Sequence, residues 1–343
     1  MACVNKGKKK IMKKPLISVI MSTYNEEAYI EAALESIVKQ SFENMEIIIF
    51  DDCSTDLTVQ KIKGFQDPRI QLFCNEKNCG LTCNLNRGLR LAKGKYIARM
   101  DGDDISEVTR FEKQIAFLEE NPDVFLISCH VQNFGESDLV NKIKGNSEEL
   151  RCRMLVRPVF AHPGFMMRRE LIEEGYYYDE SFKTAQDYEF AVRVAETHKI
   201  GMVPEILLHY RVHKKQVSNL SGSNQRTNAD RVREMQMNKL GVKLTATEEK
   251  IYSAWAYEKE TEDIADFLST VDIIDKIVEV NKTKKLYETK ILEQSLKKLL
   301  YTWMIRNKKW SCIVRFPQIC GYKGENMLLF LGEVCRTIKE KVV

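Results

Sequence analysis

Three carboxylates crowd around one glycine in Asp101-Gly102-Asp103-Asp104. They follow Tyr96-Ile97-Ala98-Arg99-Met100, a largely apolar, strand-like run, and a helical stretch is expected from near Ser106. Carboxylates at this density repel one another, so something positive has to compensate them. A hard divalent cation, which takes oxygen ligands, is the natural candidate. Asp101 and Asp103 stand two apart, and Gly102 lets the backbone come close to a ligand. An acidic turn capping a helix is the plainer reading, since aspartate is a common cap. The place at a strand end, and the partners found along the chain, favour the cation.

The elements that must position these groups read as follows. Leu16 to Met21 is a short β-branched strand, closed by Ser22-Thr23-Tyr24-Asn25. Glu26 to Gln40 has helical spacing, with Ile30, Ala33, Leu34, Ile37 and Val38 on one face. A second strand, Met45 to Phe50, stops at Asp51-Asp52-Cys53-Ser54-Thr55-Asp56, and a helix from Leu57 to Phe65 follows. Arg69 to Cys74 is a third strand, Asn75 to Gly80 a polar loop, and Leu81 to Ala92 a helix ended by Gly94. Strands alternating with helices predict an α/β fold, Rossmann-like, with a mostly parallel central sheet covered by helices on both faces. Such sheets bind ligands outside the carboxyl ends of their strands. All the polar clusters fall on that rim.

The rim's chemistry narrows the ligand. Neither a Gly-x-Gly-x-x-Gly turn nor a Gly-x-x-x-x-Gly-Lys-Ser/Thr loop is present, so two common phosphate cradles are missing. A carboxylate-rich rim repels a diphosphate unless a cation bridges them. Tyr24 can stack on a base, and Asp52 can accept hydrogen bonds from a base imide or a ribose hydroxyl. These pieces describe a metal–nucleoside diphosphate site.

Residues 15 to 104 resemble the nucleotide-binding half of the glycosyltransferase family 2 enzymes, which have the GT-A fold. The resemblance lies in Ser18 to Glu26, Ile49 to Asp56, Asn75 to Leu81 with Asn84 and Asn86-Arg87-Gly88, and Gly94 to Asp104, in that order and spacing. Cys53 stands where the family usually has glycine, and Gly102 where alanine or serine is commoner. The resemblance implies that Thr23, Tyr24, Glu26, Asp52, Asn84, Asp101 and Gly102 bind the nucleotide sugar. It implies that Asp103 is the direct ligand of Mg²⁺ or Mn²⁺, which stabilises the departing diphosphate.

The resemblance continues more thinly to about residue 228. Arg110 to Asn121 is expected to be a helix, Phe125 to His130 a strand, and Asn133 to Leu150 a polar connection on the acceptor side. His162 either reaches the sugar or acceptor or packs under a loop. In Gln186-Asp187 the family's usual Glu-Asp pair has lost its glutamate, but Asp187 remains as the expected general base, with a helix cap as its alternative. Ile200 to Tyr210 reads as a closing strand, and His213 as a further metal ligand or a loop histidine. Ser218 to Asn228 is expected to be a mobile lid.

The expected organisation is thus a basic, disordered arm (1–14), a catalytic domain (15–228, divided at 104 and 105 into nucleotide and acceptor halves) and a helical region (229–343). In that region Leu286, Leu292, Leu296, Leu299 and Trp303 recur at helical spacing. They either pack inward or, with Lys297, Lys298, Arg306, Lys308, Lys309 and Trp310, lie on a membrane surface. The basic arm, with Lys6, Lys8, Lys9, Lys10, Lys13 and Lys14, allows contact with anionic lipid.

Composition excludes other classes. The chain has 343 residues with 30% charged and 44% hydrophobic, as in globular proteins, and its net charge of +4 gives no argument for nucleic acid. Ten cysteines are scattered without a Cys-x-x-Cys pair, which predicts reduced thiols in a cytoplasmic protein, with any membrane contact peripheral. No run approaches the ~20 apolar residues that span a bilayer. The predicted activity is inverting, metal-dependent transfer of a sugar from a nucleotide sugar, with UDP the expected carrier, to a glycan or lipid-linked acceptor in surface polysaccharide assembly. A nucleotidyltransferase is the rival on the same sheet, but Ser22 to Glu27 lacks the Gly- and Arg-rich loop that grips a triphosphate. A non-catalytic nucleotide-sugar-binding module is the other.

Overall fold

The computed structural model describes residues 14–213, 222–261 and 263–307. The basic arm up to Lys13, the Ser218 to Ser221 part of the expected lid, and Lys308, Lys309 and Trp310 lie outside the described residues. The chain forms two compact units, Met1–Ser147 with Phe160–Asn228, and Glu148–Val159 with Ala229–Val343.

The first unit begins with β1 (Ile17–Thr23), α1 (Ile30–Val38), β2 (Met45–Asp51), α2 (Thr58–Gly64), β3 (Ile70–Cys74), α3 (Leu81–Leu91) and β4 (Tyr96–Asp101). β1 pairs in parallel with both β2 and β4, and β2 with β3. The register sets Thr23 beside Asp51 and Ser22 beside Asp101, so the polar clusters emerge side by side. One sheet face sends Val19, Ile47, Ala98 and Met100 into a core shared with Ile30, Leu34 and Ile37 of α1. On the other face α3 crosses β1 so closely that a Cβ on Gly88 would lie 2.6 Å from Ile20 Cγ2.

The second half of this unit turns the sheet mixed. β5 (Ile105–Ser106), α4 (Arg110–Glu120), β6 (Val124–Gly135) and β7 (Val140–Asn141) follow, and after α5 (Ser147–Arg153), which belongs to the second unit from Glu148 on, come β8 (Met166–Arg168), α6 (Glu170–Glu173), α7 (Gln186–Ala195) and β9 (Lys199–Val212). Among the described residues the strand order is β3-β2-β1-β4-β8-β6-β9-β5, with β7 on β6. β4–β8 and β8–β6 are antiparallel and β6–β9 parallel.

Several expected boundaries move, each for a local reason. The first turn expected of α1 is instead a loop, because the Glu26 and Glu27 N–H groups donate to Thr58 Oγ1 and to Asp56. Ser106 starts no helix; it pairs with Leu208 in β5, and α4 opens at Arg110. The connection from Asn133 is a hairpin of β6 and β7, followed by α5. Residues 222–228 of the expected lid are the first turns of α8 (Gly222–Leu240).

The second unit continues α8 into α9 (Ala246–Ala256), α10 (Ile264–Lys284) and α11 (Thr289–Arg306). Thr245 and Glu248 form a reciprocal capping box at the start of α9. Leu292, Leu296 and Trp303 are wholly buried, in a core with Trp255, Phe267 and Ile277. Trp303 Nε1 also donates to the Lys259 carbonyl at 2.8 Å. This stripe therefore faces protein, and the membrane-surface alternative fails for these residues. No helix of the described residues is long and apolar enough to cross a membrane.

Candidate active site

The loops after β1 and β2 are tied to each other before any ligand is considered. The Asp52 N–H donates to the Thr23 carbonyl, and Asn25 Oδ1 accepts from the Thr55 N–H. Asn25 and Cys53 hold φ values of 53° and 68°, in the left-handed region that L residues avoid. Asp52 is buried yet well supplied: it accepts from Asn75 Nδ2 at 2.9 Å and from the Cys79 and Gly80 N–H groups at 2.8 and 2.9 Å. Burial opposes its ionisation, but these bonds outweigh it and lower its pKa.

Thr23, Tyr24, Glu26, Asp52, Asp101, Asp103 and His213 line one cavity of about 850 Å³. Lys183 and Glu136 join them from the second half of the same unit. Tyr24 is 48% exposed there, its ring open to a planar partner. Asn84 is not among the lining residues. It is buried and bridges loops, accepting from Asn75 and donating to Ser22 Oγ at 3.2 Å.

Beside this cavity the carboxylates of Asp101, Asp103 and Asp104 offer oxygens all within 4.8 Å of one another. Asp103 Oδ2 lies 3.0 Å from His213 Nε2. Arg211 at the end of β9 holds the loop in place: its N–H donates to Asp104 at 2.8 Å and its Nε to the Asp103 carbonyl at 2.7 Å. The Arg211 guanidinium stacks over Tyr29 and Phe134, and Tyr29 in turn packs on His213. Gly102 leaves room for Glu26, since a Cβ there would lie 1.8 Å from Glu26 Oε2.

This cluster is short of positive charge. Glu26 Oε2 and Asp104 Oδ2 are buried without a hydrogen-bond partner. Burial, then the neighbouring carboxylates, raises the pKa of Glu26 and of Asp104 well above the usual range. Asp101 is pushed up to about 6, by burial first, against the pull of Arg99. Three acids shifted in this direction, with orphaned oxygens and an imidazole alongside, fit a hard dication.

Asp187 sits in the first turn of α7. The helix is preceded by Ala185 with φ 56° and has no side-chain cap. Burial raises the Asp187 pKa, while the Tyr188 N–H and the charge of Arg99 oppose that. His162 is not among the cavity-lining residues. It lies beneath, 7% exposed, with Nε2 2.8 Å from the Tyr178 hydroxyl and its ring against Phe165. Burial and Arg99 hold its pKa well below the ordinary value, which keeps the imidazole neutral.

Sequence reasoning missed Arg99, Arg211 and Lys183. Arg99 stands inside β4 with a side chain 5% exposed, and both oxygens of Asp101 accept from its guanidinium. Its signal was a cation two residues before an acid in a strand, a spacing that puts both on one face. Arg211 and Lys183 carry no comparable pattern.

The model of the family described as Glycosyl transferase family 2 matches residues 18–176. The chain is 34% identical over 210 residues to the uncharacterized glycosyltransferase MJ1057 of Methanocaldococcus jannaschii, covering 59% of this chain and 72% of that one. It is similar to the structure of S. aureus TarS 1-349 in complex with UDP-GlcNAc, with a TM-score of 0.56 and 17% identity over 86% of this chain and 91% of the other. It is also similar to the mannosyltransferase PcManGT from Pyrobaculum calidifontis in complex with GDP-Man and Mn²⁺, with a TM-score of 0.55 and 17% identity over 90% and 86%. At such identities the two structures speak for the fold.

Proposed function

The chain belongs to glycosyltransferase family 2, and from that premise we propose that it moves a sugar from a nucleoside-diphosphate sugar, with UDP as carrier, to an acceptor hydroxyl with inversion at the anomeric carbon. The acceptor is a glycan or a lipid-linked glycan, and the setting is surface polysaccharide assembly. The observation that carries the reading is the charge-deficient carboxylate cluster at the rim of the cavity, with orphaned oxygens on Glu26 and Asp104.

Tyr24 stacks on the base, and Thr23 and the Asp52 loop close around base and ribose. Lys183 lies on the same cavity and offers a point charge to the diphosphate. Asp103 and His213 would hold Mg²⁺ or Mn²⁺, which supplies charge neutralisation to the departing nucleoside diphosphate. Asp187 takes the proton of the acceptor hydroxyl as that oxygen attacks, because a neutral hydroxyl is a weak nucleophile. Its raised pKa brings a carboxylate closer to the working pH, where a base is most effective.

The test is a thermal-shift screen of nucleotide sugars with Mn²⁺, followed by transfer assays on the ligands that bind, since a ligand of the folded state raises its melting temperature. UDP-sugars are expected to give the largest shift. Asp187→Asn is expected to bind donor with near-native affinity and to transfer nothing measurable. Near-wild-type turnover by that variant removes Asp187 from the role of base, and a screen in which no nucleotide sugar binds removes the proposal.

A further inference from the structure

Arg87 stands on α3, half-buried and outside the set of residues that line the cavity. Its guanidinium lies 4.5 Å over the ring of Phe50, which stacks on Phe73, its register partner across β2 and β3. From there its Nη1 donates to Asn75 Oδ1. Asn75 passes the contact on: its Nδ2 donates to Asp52 Oδ1 at 2.9 Å and to Asn84 Oδ1 at 2.8 Å. The Asn75 backbone is pinned as well, its N–H donating to the Asp51 carbonyl at 2.9 Å. An unbroken chain of hydrogen bonds thus runs from a cation on α3 to the carboxylate just after β2.

The two ends of that chain fix its direction. A guanidinium donates and never accepts, whereas an ionised carboxylate accepts and never donates. The amide between them satisfies both in one orientation only, with Oδ1 toward Arg87 and Nδ2 toward Asp52. Charge at each end polarises the amide and strengthens the bonds on either side of it. Asp52 lines the cavity and still has capacity for a ligand. It accepts from Asn75 and from the Cys79 and Gly80 N–H groups, and a carboxylate offers about four lone-pair sites. An arginine paired directly with Asp52 would present its fork to both oxygens and fill that capacity. Relaying the charge through a neutral amide leaves it open.

We propose that Arg87 is a positioning residue for the nucleotide: acting through Asn75, it holds the Asp52 carboxylate in the orientation that accepts a donor from the base or ribose of the bound nucleoside diphosphate. This role rests on the proposed function, and Arg87 itself touches none of the reacting atoms. Without Arg87 the half-buried Asn75 amide can turn toward water, and Asp52 loses one of its three tethers. Base and ribose are held alike before and during transfer, so the loss falls on donor KM and leaves kcat in place. The carboxylate cluster that meets the diphosphate is unchanged. If Arg87 served only to cover Phe50, its removal would act independently of Asn75.

The experiment is a double-mutant cycle on the full chain: Arg87→Met, Asn75→Ala and the two together. Each protein is titrated calorimetrically with UDP and Mn²⁺ and, separately, with pyrophosphate and Mn²⁺, and its donor KM and kcat are measured. Arg87→Met is expected to bind UDP about five- to tenfold more weakly, with donor KM raised to match and kcat within about twofold of wild type. The double variant is expected to match Asn75→Ala, because a residue that acts through Asn75 has nothing left to act on. Pyrophosphate binding is expected to stay at its wild-type strength in every variant. Additive losses of UDP affinity, an equal weakening of pyrophosphate, or a fall in kcat with KM unmoved overturns the proposal. Should Arg87→Met fail to unfold cooperatively, Arg87→Gln, which keeps bulk over Phe50 and gives up the charge, takes its place in the cycle under the same criteria. Wild type that binds UDP and transfers sugar, with UDP affinity unmoved in the Arg87 variant, removes the role of Arg87 alone and leaves the proposed function standing. A wild-type chain that binds no UDP removes both.

Discussion

Asp52 and Asp104 are both aspartates at strand ends on one rim, and both are nearly inaccessible, at 3% and 0% exposure. Asp52 accepts from three N–H groups of its own protein, and its pKa is lowered despite burial. Asp104 receives one backbone N–H, keeps one oxygen orphaned, and has its pKa raised well above the usual range. Residue type and surface exposure are alike; the supply of donors differs, and Asp104 lies deeper and beside the carboxylates of Asp101 and Asp103. The contrast teaches that the first loop is an anion site already completed by the fold, whereas the second is built short of positive charge.

The sharpest way to break that contrast is to remove whatever completes the second site. Treatment with a chelator, or the change Asp103→Ala, is expected to lower transfer by about 10³-fold, the worth of several kcal/mol of charge stabilisation. Uridine, which lacks the diphosphate, should still raise the melting temperature of the Asp103 variant, because the base half of the cavity is untouched. Full activity in the presence of chelator would mean that the carboxylate cluster serves some other end.

The first site breaks in a different currency. Asp52→Ala strips the acceptor from the Cys79 and Gly80 N–H groups and from Asn75, so three part-buried, charge-assisted hydrogen bonds are lost together. Urea unfolding is expected to show a loss of about 3 kcal/mol. The same change at Asp104 removes a cluster charge along with one bond, so its loss should be clearly smaller. Equal losses at the two positions would erase the distinction between a finished and an unfinished site.

The two regions should also respond to pH with opposite sign. Where the native state binds more protons than the unfolded one, stability falls as pH rises. Glu26, Asp101 and Asp104 have raised folded pKa values, with Asp101 near 6. Metal-free protein is therefore expected to be more stable at pH 6 than at pH 8, as the cluster takes up protons that unfolded acids have already lost. Asp52, with a lowered pKa, contributes its stability above the ordinary aspartate range and loses it only as pH falls further. Glu26→Gln should flatten the slope between pH 6 and 8 and add about 1 kcal/mol at pH 8. Melting curves without metal that are flat across this range would contradict the direction.

The sequence carried much of this because buried parallel strands leave a plain trace. β1, β2 and β4 are apolar runs that stop at Ser22, Asp51 and Asp101, and parallel pairing then brings those stops to one rim. Short or mixed elements leave little trace. β5 is two residues long and exists only because β9 pairs with it. The segment Glu148–Val159 belongs to the second unit through burial of Cys152, Leu155 and Val156, which no shift in composition announces. Arg99 looked like a polar interruption of a strand, and only its partner explains it. Helical periodicity in 286–303 was readable, but whether it faced lipid or protein depended on residues far away, such as Trp255 and Phe267.

The smallest effect tests whether the finished site carries strain of its own. Cys53 holds φ 68° in the turn directly after Asp52, where a side chain costs about 1–2 kcal/mol and glycine costs none. Glycine loses more freedom on folding, by about 0.5–1 kcal/mol, and would also give up the weak contact of Cys53 Sγ with the Glu76 carbonyl at 3.6 Å. The balance predicts that Cys53→Gly stabilises the protein by about 0.5 kcal/mol, seen as a higher urea midpoint at unchanged slope. Nucleotide affinity should not move, because the donors to Asp52 come from Asn75, Cys79 and Gly80 rather than from residue 53. If the variant is stabilised but binds nucleotide more weakly, the strain at Cys53 is part of the binding loop's shape, and the site called finished is held open by the same residue that strains it.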